Sequence, residues 1–196
     1  VYKRQGESKW IIKAPGSTLD GTRWDAVYLC DNTCFLYQGK ESYDDYSNGL
    51  WRITDKAGNG IKESIKDDRL KYLRNNRFLV GIGESKYLIN ENGEVLCEAN
   101  WEVRYPEYYS DGLLAVEDHG RYCYVDENGN VKFQLAEDCY LIGDATFHDG
   151  LAPCFKGKVT YDSYGIIRSK QGAYGYIDTN GNIVIDCQFE DAKVFS

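Results

Sequence analysis

Few residues of this sequence have a type and spacing that could support catalysis. The chain has only two histidines, His119 and His148. His148 precedes Asp149, and a histidine–carboxylate pair can transfer protons, but adjacent residues at a strand end point to different sides. Both histidines also stand in polar segments between apolar runs. We therefore interpret them as turn residues in solvent, and we expect no catalytic residues.

Two patterns could bind a metal ion, but both have the wrong spacing. Asp126 and Asp178 each begin an Asp-x-Asn-Gly segment, in which glycine is the fourth residue. An EF-hand calcium loop places its glycine sixth. Cys30 and Cys34 have no second ligand pair at zinc spacing. We therefore expect no metal and no cofactor, and we interpret the Asp-x-Asn-Gly segments as hairpin turns.

The cysteine count does not indicate a disulfide framework. Seven is an odd number, and no Cys-x-x-Cys occurs. Most of the cysteines stand in apolar, strand-like stretches, which predicts buried reduced thiols, with one or more disulfides as the alternative. The seven are Cys30, Cys34, Cys97, Cys123, Cys139, Cys154 and Cys187.

Composition favours β-strands and disfavours anionic partners. Aromatic residues make up 14% of the 196 residues, and 20 glycines stand against three prolines, which indicates strands joined by tight turns. A net charge of −8 disfavours binding to nucleic acid or to an anionic membrane surface. Apolar runs such as residues 78–82 are far too short to cross a bilayer. We expect a cytoplasmic protein, or a secreted or cell-surface protein if a leader has been removed.

Five turn glycines reveal an internal repeat. Their separations along the chain are 42, 35, 36 and 52 residues, so the basic period is near 36, with insertions in two intervals. An acid follows each glycine by nine residues, and we expect these acids to accept hydrogen bonds from loop amides. The glycines are Gly16, Gly58, Gly93, Gly129 and Gly181, and the acids are Asp25, Asp67, Glu102, Asp138 and Glu190.

Each repeat is predicted to contain three strands. A first strand with alternating apolar residues reaches the glycine turn, a second strand follows, and a loop carrying the acid leads to an Asp-Gly turn and a third strand. Residues 61–74 could instead hold a helical turn. The pattern predicts an all-β tandem array of about five three-stranded antiparallel units, arranged as an open solenoid or alternatively as a propeller-like ring.

We expect one repeat domain over residues 1–196. The copies are divergent in residues 1–82 and clearer in residues 83–196. The last copy stops before its third strand, which predicts a fragment of a longer protein.

The two insertions carry the candidate binding residues. Residues 38–48 predict a polar loop and residues 156–170 predict an extended hairpin. Insertions in repeat arrays often build the binding face, and exposed tyrosines are frequent at protein interfaces and can stack on sugars. Tyr37 belongs to the same set of expected surface aromatics, and the candidate partner-binding residues are Tyr43, Tyr46, Tyr108, Tyr161 and Tyr164.

The repeat motif resembles the bacterial WG-repeat (KWG-type) family. Residues 174–178 read Tyr-Gly-Tyr-Ile-Asp, and Gly181, Val184-Ile185 and Phe189-Glu190 follow at the family's spacing. The chain departs from the family because tyrosine replaces the signature tryptophan and Cys187 replaces a proline. The resemblance implies a β-rich repeat array with no catalytic residues.

Three classes of function remain in competition. The repeat architecture favours a non-enzymatic scaffold that binds a partner protein. The alternative is a module that binds carbohydrate or the cell envelope through loop tyrosines. A hydrolase with an unrecognised pair of carboxylates is the third, and less favoured, reading.

Overall fold

In a computed structural model the chain is all-β. The structure describes residues 2–3, 10–11, 20–38, 49–67, 70–82 and 85–194. These residues form strands β1 (Tyr2–Lys3), β2 (Trp10–Ile11), β3 (Arg23–Trp24), β4 (Ala26–Leu29), β5 (Thr33–Gln38), β6 (Gly49–Asp55), β7 (Gly60–Asp67), β8 (Leu70–Tyr72), β9 (Arg77–Ile82), β10 (Ser85–Asn90), β11 (Val95–Glu98), β12 (Glu102–Val103), β13 (Leu114–Asp118), β14 (Arg121–Val125), β15 (Val131–Gln134), β16 (Cys139–Tyr140), β17 (Leu151–Tyr161), β18 (Ile167–Asp178) and β19 (Ile183–Phe189).

Within the described residues the strands build five antiparallel sheets in chain order. The first sheet contains β1–β3, and the second to fifth contain β4–β7, β8–β11, β12–β15 and β16–β19. Every hydrogen-bonded pair joins strands that are neighbours in sequence, so each sheet is a simple meander. The predicted all-β fold with about five repeated units is confirmed.

Four of the sheets have one strand more than the sequence pattern predicts. The segment that carries the indexed acid was expected to be a loop, but it forms a short edge strand, as at Glu102–Val103 and Cys139–Tyr140. Strands of two residues are too short to show the alternation that identifies a strand. The helical turn considered for residues 61–74 is wrong, because β7 and β8 occupy most of that stretch.

The chain divides into two compact units, Val1–Ala99 and Asn100–Ser196. In the first unit, the core between the second and third sheets is aromatic. The Phe35 ring stacks on Phe78 with ring centroids 3.8 Å apart and on Trp51 at 5.7 Å. Tyr37, expected at the surface, is only 6% exposed and belongs to this core. The expectation was wrong because Tyr37 lies in β5, which has strands on both sides.

In the second unit, the fourth and fifth sheets share one core. Tyr124 lies between Phe133 and Phe147, with ring centroids 5.1 and 4.9 Å away. The buried Tyr124 hydroxyl donates a hydrogen bond to the Ala145 carbonyl at 2.6 Å, which satisfies the one polar atom of that ring.

Contacts between Asp-Gly turns join the same two sheets. The backbone N–H of Gly150 donates to the Asp111 carboxylate at 2.9 Å. Asp111 and Asp149 have left-handed φ angles of 49° and 51°, and glycines follow both. Two successive positive φ angles define the type I′ hairpin turn that Asp-Gly favours.

The glycine turns repeat one hydrogen-bonding pattern. The first residue is aspartate or asparagine, and its Oδ1 accepts the backbone N–H groups two and four residues later, as at Asp126, Asp178 and Asn90. In these turns the side chain that accepts the backbone amides is therefore that of the first turn residue. The indexed acid Asp138 instead contacts the Lys156 ammonium and the Cys139 thiol, each at 3.7 Å. Gly16 and the Asp67 side chain lie outside what the structure describes.

The backbone of Gly175 packs directly against β19. Tyr174 pairs with Phe189 and Tyr176 with Ile185, so β19 bulges opposite Gly175. A Cβ atom on Gly175 would lie 2.5 Å from the Ile185 carbonyl oxygen and 2.8 Å from the Cys187 sulfur. The absence of a side chain at position 175 is therefore what allows this bulge to pack.

We expect Gly175→Ala to lower the free energy of unfolding by about 1–3 kcal/mol, because the new methyl group must displace backbone atoms. The measurement is urea denaturation followed by tryptophan fluorescence and circular dichroism. Gly60→Ala is the control, since its Cβ would meet only the end of the flexible Arg52 side chain, at 3.2 Å. Equal effects of the two substitutions would contradict the packing explanation.

The turn carboxylates predict an acid-sensitive contribution to stability. At Asp178 the side-chain and backbone amides of Asn182 lower the pKa from 3.8. A carboxyl whose pKa is lower in the folded state stabilises the fold above its unfolded pKa, and this contribution is lost as pH falls through the folded pKa.

Asp178→Asn should therefore keep the turn but reduce this acid sensitivity, as asparagine at position 90 accepts the same amides. Thermal unfolding measured from pH 7 to below about pH 4 should show a shallower decline for Asp178→Asn than for the wild type. Asp178→Ala should unfold at lower temperature even at pH 7. The explanation fails if the alanine and asparagine variants behave alike at pH 7.

Candidate functional site

The candidate site is a two-stranded ribbon formed by residues 157–172. β17 and β18 pair from Leu151–Asp178 at one end to Tyr161–Ile167 at the other. The register shifts once near the tip, where Thr160 faces Ser169 and Tyr161 faces Ile167, so Arg168 bulges from β18. Their neighbours are shorter, because β16 pairs with β17 only at Phe155 and Lys156, and β19 pairs with β18 only from Tyr174 onward. Among the described residues of this unit, the ribbon therefore has no strand on either side. The hairpin predicted for residues 156–170 is confirmed.

Two opposed glycines mark the base of the ribbon. Gly157 pairs with Gly172, and a Cβ atom on either would lie about 2 Å from a carbonyl oxygen of the facing strand, at 2.2 and 2.1 Å. Their φ angles are 155° and 158°. Only glycine tolerates this approach, so the pair fixes where the hairpin leaves the four-stranded sheet.

A turn of the repeated type closes the tip of the ribbon. The Asp162 carboxylate accepts the backbone N–H groups of Tyr164 and Ile166, each at 2.9 Å. The chain exposes apolar side chains around this turn, namely Tyr161 (41%), Tyr164 (87%), Ile166 (65%) and Ile167 (38%). The tip is therefore an ordered turn that presents a cluster of apolar side chains to solvent.

One contact ties the ribbon to the fourth sheet. The Tyr161 hydroxyl lies 3.2 Å from the Tyr122 hydroxyl on β14. The Arg104 guanidinium stands 5.2 Å from the centre of the Tyr122 ring and pairs with Glu117 at 3.1 Å. Desolvation and the hydrogen bond to Tyr122 raise the pKa of Tyr161 to about 12, so this hydroxyl stays protonated near neutral pH.

The predicted tyrosines do not form one cluster. Tyr161 and Tyr164 share the ribbon, whereas Tyr108 lies half-buried between β12 and β13. Tyr43 and Tyr46 fall outside the described residues, as do residues 39–48 of the other insertion. Ile166 was not among the predicted binding residues, although two successive isoleucines beside a polar turn are a recognisable sign of an exposed apolar tip.

A small cleft lies beside this contact, between the fourth and fifth sheets. Its volume is about 230 Å³. The rings of Tyr122 and Tyr140 meet edge to face along it, with centroids 6.1 Å apart. Arg121, Glu137 and Leu135 are among the other lining residues. Aromatic rings beside a cation and a carboxylate can stack on and hydrogen-bond to a small polar ligand. Tyr122 and Tyr140 were not singled out in the sequence.

The other reactive side chains have structural surroundings. The His119 imidazole is 86% exposed and lies 2.6 Å from the Asp118 carboxylate. Cys139 and Cys154 are buried, and desolvation raises their pKa values to about 11 and about 12. All seven cysteines are free thiols. In the described part of the chain, no three histidine, cysteine or carboxylate side chains gather as metal ligands would, and no helix could cross a membrane.

Comparison with known proteins identifies the repeat. Residues 174–196 match the model of a family described as the WG containing repeat. No curated protein matches the chain. The matched segment holds Gly175 and its bulge, the Asp178 turn and all of β19. The other described sheets repeat the meander of this segment, and the turns at Asn90 and Asp126 repeat its hydrogen bonds, so the chain is a β-repeat protein whose residues 174–196 match the WG containing repeat.

Proposed function

We propose that this chain is a non-enzymatic repeat scaffold that binds a partner protein through the ribbon of residues 157–172. The observation that carries the proposal is the exposed apolar tip on a hairpin with open edges. Tyr164 and Ile166 are 87% and 65% exposed on a hydrogen-bonded turn, where their apolar surfaces face water and do not belong to the described core. Aromatic and branched side chains held in this way are effective anchors in protein interfaces.

The construction of the ribbon also supports an interaction role. A two-stranded hairpin is marginally stable alone in water, and this one is anchored by the sheet below Gly157 and Gly172 and by the Tyr161–Tyr122 contact. An anchored hairpin with free edges can accept a further strand at little ordering cost. The other repeated side chains, such as Asp126 and Asp178, serve turns and packing rather than chemistry.

The test compares the whole chain with a shortened ribbon. The Gly157 N–H donates to the backbone carbonyl of Asp138, just before β16, so the flanking residue Lys158 turns its backbone groups toward Gln171 on β18. Replacing residues 159–170 by Asn-Gly should therefore close a two-residue hairpin and leave the sheet intact. Both chains serve as bait in a lysate of the native host.

We expect the shortened chain to unfold like the wild type but to lose the partner that the wild type captures. A full-length variant with Tyr164→Ser and Ile166→Ser should lose the same partner. A matched control carries Ile183→Ser and Val184→Ser, since these residues are also exposed (36% and 51%) but lie on β19. Capture of the same partner by all the variants would refute the proposal.

A carbohydrate-binding role is the second candidate, and the cleft beside Tyr122 and Tyr140 favours it. Tyrosine rings can stack on sugar rings while Arg121 and Glu137 hydrogen-bond to hydroxyl groups. We expect a glycan array to show binding that Tyr140→Ala abolishes and that the shortened ribbon retains. An array without signal at millimolar glycan removes this candidate.

A further inference from the structure

The outer edge of β18 is exposed over residues 167–172. Residues 167–172 are all exposed, whereas Gly157 and Val159 on β17 are half-buried. The six residues span roughly 20 Å at about 3.3 Å per residue, which is the length of an ordinary strand. β19 ends at Phe189, which faces Tyr174, so no described strand of this unit pairs with β18 along residues 167–172.

The backbone groups along this edge point outward at regular intervals. Tyr174 pairs with Phe189 on β19. Directions alternate along a strand, so Gly172 and Lys170 turn their N–H and C=O groups to that same side. Gln171 and Ser169 face Lys158 and Thr160 on β17 instead. Beyond the bulge at Arg168, the edge therefore offers the hydrogen-bonding groups of Lys170 and Gly172, spaced as in a strand-accepting edge.

The ribbon is basic although the chain is acidic. Residues 157–172 contain Lys158, Arg168 and Lys170 against one acid, Asp162, in a chain of net charge −8. The Asp162 carboxylate is engaged by two turn amides. The Lys170 ammonium is held in place, because it donates to the Tyr174 hydroxyl at 2.8 Å and lies 4.5 Å from the centre of that ring.

The positive charge of the ribbon favours some binding partners of the β18 edge over others. A second ribbon from another copy would bring the same positive charge, and a nucleic acid would meet an acidic protein around a small basic element. An acidic extended segment meets neither obstacle. We infer that the ribbon binds an acidic, extended segment of a partner protein, which pairs with the outer edge of β18 and places carboxylates beside Arg168 and Lys170.

This inference rests on the proposed protein-binding function and adds the chemistry and the pairing mode of the partner. The probe is a ten-residue acetylated peptide that alternates glutamate and valine, titrated into the whole chain and followed by NMR of backbone amides. We expect saturable shifts of the Lys170 and Gly172 amides and weaker binding at higher salt. The lysine–valine counterpart should not bind.

Charge reversal at the ribbon provides the decisive comparison. Lys158→Glu with Arg168→Glu should weaken binding of the glutamate peptide by about tenfold or more. Lys132→Glu with Lys193→Glu is the matched control, because it changes net charge equally at exposed positions of the same unit outside the ribbon. We expect the control pair to bind within about twofold of the wild type.

Three results would overturn the inference: no binding of the glutamate peptide at millimolar concentration, equal binding of the lysine peptide, or equal weakening by both pairs of substitutions. These results leave the proposed function standing if the shortened ribbon still loses its lysate partner. If the shortened ribbon keeps that partner, the proposed function fails on its own test.

Discussion

A single side-chain oxygen at the start of the turn orders the described glycine turns of the repeat. In the turns that begin at Asn90, Asp126, Asp162 and Asp178, one Oδ1 atom accepts two backbone amides that the tight turn would otherwise leave unpaired. The turn sets the register of the two strands it joins, and a register error would move every apolar side chain to the wrong face. Core rings such as Tyr124 are therefore placed by a contact at the surface.

The ribbon uses the same turn for a different purpose. The Asp162 turn closes a hairpin that extends beyond the strands paired with it on either side. The facing glycines Gly157 and Gly172 allow the two strands to leave the sheet without disturbing it. Below them the strands contribute Phe155 and Tyr174 to a buried edge-to-face pair. Above them the same strands are exposed. One pair of strands thus supplies both the packing of the fifth sheet and the surface to which we assign binding.

Local signals predicted much of this fold. Asn-Gly and Asp-Gly turns have a backbone geometry that follows from the residues themselves, so the five copies, the hairpins and the insertion at residues 156–170 could be read from the sequence. The short strands β12 and β16 could not, since two residues carry no periodicity and are ordered by the strands beside them. The prediction that Tyr37 lies at the surface was wrong because its burial depends on β4 and β6. The sequence does not show that these two strands pair with β5 on either side of Tyr37.

Only the candidate-site residues that lie close together in the sequence were predicted. Tyr161 and Tyr164 stand in an insertion and were identified by position. Tyr122 and Tyr140 look like ordinary strand residues, and they meet only because the fourth and fifth sheets pack together. The basic charge of the ribbon could be read from the sequence. Its use to infer an acidic partner strand required the observation that β18 has an open edge.

The central claim is that residues 157–172 form a stable ribbon whose edges are free. Amide hydrogen exchange measured residue by residue in the whole chain tests it most directly. We expect slow exchange at Lys158, Thr160, Ser169 and Gln171, whose N–H groups face the opposite strand. We expect fast exchange at Val159, Lys170 and Gly172, whose N–H groups face outward. Fast exchange at all seven amides would show that no ribbon is formed, and slow exchange at all seven would show that its edges are already covered. Either result would contradict the account.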